Sequence, residues 1–229
     1  MAEQVQVGLA QRFKKWERAL QARYKTDLST PRNRRRAMIY HLFLDHGLLR
    51  HWWTNMAQVA PGVWRSNHPL PGRLPRLHRM GIRTILSLRG ALTSPNYLLE
   101  KEGCDALGIA LHSVSLAARR APAPAELLTL INLFREMPRP FLMHCKSGAD
   151  RAGLASAIYL IVIEGQSVPQ ARKHLSPRFL HFRRSSTGIL DHVLDLYEAR
   201  LTDGPVTMER WIAEEYDPEA ATRSFAAGR

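Results

Sequence analysis

From residue 9 the side chains Leu9, Phe13, Trp16, Leu20 and Tyr24 recur at helical spacing, with Arg12, Lys14, Lys15 and Arg18 between them. This pattern predicts a basic amphipathic helix. Its apolar stripe suits docking on the rest of the molecule, the default use of such a face, or lying on an anionic membrane surface. A basic run from Arg32 to Arg36 follows, then an apolar stretch ending in Trp52 and Trp53 that fits core or interface equally. Beyond it short apolar runs alternate with longer amphipathic ones. Strands are predicted over 62–66, 82–88, 109–116 and 141–144, and helices over 71–80, 96–107, 122–137, 152–164, 168–175 and 186–200. Gly81 and Gly108 stand where two of these helices stop, and prolines open the helix that starts at 122. The alternation argues for an α/β fold, a central mainly parallel sheet flanked by helices. From Leu201 the chain turns polar and acidic, which suits a loosely held tail or an added helix over 208–216. The expected organisation is a basic helical extension (1–56), a main domain (57–200) and an acidic C-terminal tail (201–229).

Composition narrows the setting. A chain of 229 residues, 45% of them hydrophobic, can bury one substantial core. Two cysteines, Cys104 and Cys145, and no leader-like N-terminus argue against a secreted disulfide scaffold, so a cytoplasmic protein is expected. The apolar stretch that ends before Glu164 is too short to span a bilayer and reads as a buried helix. The net charge of +13 favours anionic partners. It is concentrated in residues 1–50, with 11 Lys or Arg against 4 Asp or Glu, while residues 201–229 carry 3 against 6. The basic N-terminal region therefore suggests peripheral attachment to an anionic membrane surface. Nucleic acid is not the expected partner, because no binding motif or aromatic stacking platform accompanies the charge.

The segment FLMHCKSGADRAG, 141–153, carries the chemistry. It sets Cys145 after a buried strand, a loop of Lys146, Ser147, Gly148 and Ala149, and then Asp150 and Arg151 at the start of a helix. Backbone N–H groups of such a loop can surround phosphate oxygens, the helix N-terminus adds partial positive charge, and Gly148 permits the curvature. The same field favours a thiolate nucleophile at position 145. Arg151 can hold two phosphate oxygens at once through its planar fork.

Cys145, five intervening residues and Arg151, preceded by His144, resemble the signature of the protein tyrosine phosphatase superfamily. The likeness extends over about 57–200 and is similar to its compact bacterial dual-specificity-like branch, on the segments PGVWRSNHP (61–69) and GIRTILSLRG (81–90). The resemblance implies a dual-specificity phosphatase-like fold with the phosphate-binding loop between strand and helix. It also implies hydrolysis of phosphomonoesters through a cysteinyl-phosphate, with no cofactor and no metal. Substrates would be a phosphorylated protein or a phosphorylated lipid, the latter of the phospholipid or inositol phosphate type.

Two departures from the family pattern matter. The usual general-acid Asp is absent: no Asp lies between 106 and 143, and the corresponding loop reads LAARRAPAPAE. Glu126 is a weak substitute there because it suits a helix start. Asp150 takes the role of acid in this reading, and its plainer alternative is to brace the loop or pair with a neighbouring base. Ala152 replaces the common Ser or Thr that would hydrogen-bond the departing thiolate. Lys146, Arg119 and Arg120 are candidates to contact further negative groups of a substrate, Arg65 and Arg89 to border the pocket, and residues 181–188 to form a wall. Cys104 reads as a core residue. The rival functions are a pseudophosphatase that binds phosphorylated protein or lipid with little turnover, and a rhodanese-like sulfurtransferase, which the arginine spacing disfavours.

Overall fold

The computed structural model describes residues 28–45, 52–90 and 92–228. The amphipathic helix expected over 9–24 lies outside the described residues. The short apolar runs become strands: β1 (Ala57–Ala60), β2 (Val63–Asn67), β3 (Thr84–Ser87), β4 (Ala110–Ser113) and β5 (Phe141–Cys145). They form one sheet in the order β1-β2-β5-β3-β4. β2, β5, β3 and β4 run parallel, and β1 pairs antiparallel with β2 across a turn at Pro61 and Gly62. Gly62 sits at φ 76°, a conformation that a side chain would strain. The mainly parallel α/β expectation is met. The hairpin strand β1 is an addition, four residues whose pairing depends on that turn rather than on a hydrophobic run of their own.

The described helices are α1 (Pro31–Ile39), α2 (Leu74–Arg79), α3 (Pro95–Ala106), α4 (Pro124–Glu136), α5 (Asp150–Val162), α6 (Val168–Ala171), α7 (Ile189–Arg200), α8 (Met208–Glu214) and α9 (Pro218–Ala227). None of them is long and apolar enough to cross a membrane. Their starts follow from local chemistry. Thr30 Oγ1 and Ser94 Oγ accept backbone N–H groups at the heads of α1 and α3, each followed by proline at the first helical position. Glu126 reaches back to the Ala123 N–H at 2.8 Å at the head of α4.

Two apolar layers enclose the sheet. One contains Leu74, Leu77, Ile82, Ile85, Cys104, Ile109 and Leu142. The larger layer gathers Leu127, Leu130 and Phe134 of α4 with the apolar length of α5 and with Leu190, Val193 and Leu194 of α7. Residues 152–160 of α5 are all buried, because other helices surround this one as well as the sheet. Cys104 is a free buried thiol, pushed up to about 12 by burial, which agrees with its reading as core.

The C-terminal stretch is built into this core. Met208, Trp211, Ile212, Tyr216 and Ala221 are buried. The Trp211 ring lies 5.2 Å from that of Tyr197 and 4.9 Å from that of Tyr216, whose hydroxyl donates to the Pro122 carbonyl at 3.0 Å. Of the two readings the sequence allowed, the added helix is correct, and a second one, α9, follows it. The acidic composition hid this because the acids occupy only the outer faces. Trp211→Ala should lower the unfolding free energy by about 3 kcal/mol in urea denaturation. Removing residues 205–229 should abolish a cooperative transition, whereas a loose tail would leave both measurements unchanged.

Candidate active site

Alternation along β5 divides its neighbours between the two sides of the sheet. Leu142 and His144 face the α3 side, and Phe141, Met143 and Cys145 face α5. His144, fully buried, has Nε2 at 2.8 Å from Glu100 Oε1, and His68 Nδ1 lies 3.7 Å from the other oxygen. These three are the one trio among the described residues whose donor atoms are spaced closely enough for a metal ion. They lie behind the strand, on the face away from the Cys145 side chain.

Cys145 is 1% exposed at the end of β5, and α5 begins five residues later. Between them the loop carbonyls are tied from outside. The Lys146 carbonyl accepts the His68 N–H at 3.3 Å, and the Ser147 carbonyl accepts Asn55 Nδ2 at 3.1 Å. The Gly148 and Ala149 carbonyls both accept from Nη2 of Arg65, the latter at 3.1 Å. In a planar trans peptide the C=O and the next N–H point opposite ways. Carbonyls held outward therefore turn the N–H groups of residues 147–150 inward, which makes a nest for an anion. Gly148 is needed twice over. Its φ is 72°, and a Cβ there would stand 2.6 Å from the Asn67 nitrogen.

Arg65 is 0% exposed. Besides the loop it donates to the His174 carbonyl at 2.6 Å, and its guanidinium lies 3.9 Å from the Phe179 ring centre. Burial brings it down to about 10, against the charges of Cys145 and Asp150, so it remains a cation at neutral pH. Its neighbour His174 is pushed down to about 4 by burial and by Arg65 and Arg178, and stays neutral there. Arg65 was expected at the pocket border; instead it is the internal brace of the loop.

Arg151, partly buried, donates to the Leu88 carbonyl at 3.3 Å and so stands at the end of β3. Lys146 and Arg89 converge on Asp45, which lies just after α1: Lys146 Nζ is 3.3 Å from its Oδ1, and Arg89 grips both oxygens at 3.0 and 3.1 Å. Arg120 is paired with Glu126 at 2.7 Å, at the head of α4. No contact among the described residues links Arg119 or Arg120 to the loop. Glu126 is thus committed to capping and to Arg120.

Asp150, the proposed acid, is part of a chain of three. Its Oδ1 is 2.8 Å from His181 Nδ1, and His181 Nε2 is 2.6 Å from Asp191 Oδ2. Burial works against the His181 charge, but hydrogen bonds and charge from Asp150 and Asp191 win and raise it to about 9. For Asp150, burial favours the neutral acid, yet hydrogen bonds to His181 and Thr187 and the charges of His181 and Arg151 hold it below its ordinary value. Of the segment 181–188, His181 and Thr187 contact Asp150. The sequence carried signals for Asp45, Asp191 and Arg65 only as isolated charges, with no spacing to tie them to the loop.

The loop between a parallel strand and a helix, with a cysteine at one end and an arginine at the other, has the placement that the sequence resemblance implies. Residues 66–187 match the family described as Swiss Army Knife protein, DSP-PTPase phosphatase domain, and the chain belongs to that family. A curated relative, Dual specificity protein phosphatase TpbA of Pseudomonas aeruginosa (strain UCBPP-PA14), is 30% identical over 115 residues, 48% of this chain and 48% of the relative. The chain thus spans about half the length of the curated relatives it matches. Two solved structures share the fold. P. aeruginosa TpbA in complex with pTyr aligns at a TM-score of 0.50 with 23% identity, over 66% of this chain and 92% of that one. Tk-PTP in the active form aligns at 0.53 with 19% identity, over 65% and 99%.

Two outcomes test this geometry. Arg65→Met leaves the Gly148 and His174 carbonyls without donors, while Ala149 keeps the Gly153 N–H, so the unfolding free energy should fall by about 2–3 kcal/mol. Affinity for inorganic phosphate, read by calorimetry, should fall about tenfold or more as the nest loosens. The His181 pairing should also show in stability against pH. Its folded value, about 9, lies above the ordinary 6.5, so the contribution is whole below 6.5 and is lost as pH rises through about 9. Chemical denaturation at pH 6, 8 and 10 should show this loss in the parent protein and not in His181→Gln.

Proposed function

We propose that this protein hydrolyses phosphomonoesters through a cysteinyl-phosphate intermediate. The observation that carries the reading is the set of outward-tied carbonyls between Cys145 and Arg151, which turns the loop amides inward toward a site for an anion, with Ala149 N–H also reaching Ser147 Oγ at 3.4 Å. The Cys145 thiolate attacks phosphorus, Arg151 and the loop amides hold the equatorial oxygens, and Asp150 supplies a proton to the leaving oxygen. Water then attacks the phosphoenzyme and returns phosphate and the thiolate. No step in this sequence requires a cofactor or metal.

Phosphorylated protein is the first substrate class to test, because the curated relative is a dual specificity protein phosphatase and was crystallised with pTyr. Phosphorylated lipid at an anionic membrane surface is the second reading. It is favoured by the exposed Trp52, 88%, and Phe43, 61%, the latter two positions before the Asp45 that meets Lys146. We propose a cytoplasmic setting in either case, and the basic N-terminal region supports peripheral membrane attachment for the second.

A panel of phosphotyrosine and phosphoserine peptides and phosphorylated lipids in vesicles, assayed by phosphate release, tests the proposal. Cys145→Ser should abolish release on every substrate, and Arg151→Lys should lower kcat/KM by about 10²-fold or more. Acid-quenched enzyme should carry phosphate on Cys145. Undiminished turnover by Cys145→Ser would overturn the reading.

A further inference from the structure

The Asp150–His181–Asp191 chain poses a problem for a simple acid role. A carboxyl group that donates a proton must hold one when substrate arrives. Asp150 instead faces an imidazole at 2.8 Å whose other nitrogen is held by a buried carboxylate at 2.6 Å. In that arrangement both ring nitrogens meet a carboxylate oxygen, which favours the doubly protonated ring. The proton that Asp150 would need is therefore stored one hydrogen bond away.

We propose that His181, oriented by Asp191, is the proton store that makes Asp150 an effective acid and base in the phosphoryl-transfer cycle. This rests on the phosphatase reading above. In the first step sulfur of Cys145 bonds to phosphorus and the phosphorus–oxygen bond to the leaving group breaks. His181 Nδ1 passes its proton to Asp150, which delivers it to the leaving oxygen and returns to a carboxylate, and His181 is left as a neutral imidazole with its Nε2–H still on Asp191. In the second step water bonds to phosphorus and the phosphorus–sulfur bond breaks to restore the thiolate. The proton lost by water passes through Asp150 back to His181. The cycle consumes only the ester and water.

The surroundings fit this role. His181 is 1% exposed, so its proton is not exchanged carelessly with solvent during a turnover. Arg151 acts on Asp150 from the next position in the chain, and Arg65 lies within electrostatic reach of both Asp150 and Cys145. Beyond the ring Arg172 and Arg183 are paired with Asp195, so their charge is answered locally. They and His181 line a cavity of about 350 Å³ with Asp191, a route by which the imidazole can re-equilibrate between turnovers. His181 is thus a positioning and proton-holding residue that acts through Asp150.

The test compares kcat/KM, which ends with release of the first product, for 4-nitrophenyl phosphate and an alkyl phosphate across pH 5–10. For the parent the alkyl substrate should show a basic limb near pH 9, where His181 loses its proton. His181→Gln should lower kcat/KM for the alkyl phosphate by about 10²-fold, leave the activated aryl ester within a few fold, and remove that limb. Asp191→Asn keeps the ring and removes its far carboxylate, so the limb should move to lower pH. Equal losses on both substrates in His181→Gln with the limb unmoved, in a protein that circular dichroism shows to be folded, would overturn the store and leave His181 a brace. A parent inactive on both esters would overturn the phosphatase reading and the store together, whereas an active parent with no such split overturns the store alone.

Discussion

The buried Arg65 guanidinium is the contact on which the loop depends. A site for a dianion must keep several backbone N–H groups without internal partners, and a peptide plane can do this only if its carbonyl is satisfied on the opposite side. Arg65 satisfies two such carbonyls from β2 and a third at His174, while Asn55 and the His68 N–H satisfy the rest. An arginine held this deeply needs nearly all its donors engaged to offset its desolvation. The loop and its brace are in this sense each other's condition. The segment around Asn55, before the first strand, thereby becomes part of the site.

The parallel sheet turns that local contact into a placed site. Strand ends of β2, β3 and β5 come together at one edge, where Asn67, Leu88 and Cys145 terminate the strands or follow them. The period of two along β5 gives Cys145 to the α5 side and hands His144 to Glu100 on the other. Opposite charges are then distributed so that each cation near the loop has an answer: Asp45 for Arg89 and Lys146, and Asp150 and Cys145 in reach of Arg65. A dianionic ligand meets amides and Arg151 rather than a field of uncommitted side chains.

What the sequence disclosed follows from contiguity. Cys145 to Arg151 is one short segment whose chemistry depends on neighbours in the chain, so it was legible, as were strands and helices with their own periodicity. Arg65 looked like a pocket-edge charge because its acceptors at 148, 149 and 174 are far away in sequence. The partnership of Asp150 with His181 spans 31 positions and was anticipated only as pairing with some neighbouring base. Lys146 and Arg120 were read as substrate contacts because the acids that engage them, Asp45 and Glu126, carry no mark of their roles in a linear reading. Trp211 and Tyr216 went unweighted for a related reason, since the acids around them set the average character of a segment whose inner face is apolar.

Ala152 shows how the same brace bears on the chemistry. Under the proposed mechanism a hydroxyl at this position would steady the sulfur as it departs from phosphorus, and two nearby serines are otherwise engaged. Ser156, one turn on, has its hydroxyl committed to the Ala152 carbonyl at 2.6 Å, and Ser66 donates to the Asn67 carbonyl. Stabilisation of the departing thiolate is left to the amides at the start of α5 and to positive charge nearby. Arg65 is buried, remains charged, and interacts with Cys145 through the interior rather than through water, where the same charge would be screened. A charge acting at a distance through a poorly polarisable interior is less sensitive to sulfur's exact position than a single hydroxyl hydrogen bond. Under the proposed mechanism, the brace that orients the loop also stands in for the missing hydroxyl, and its removal would reach both binding and turnover.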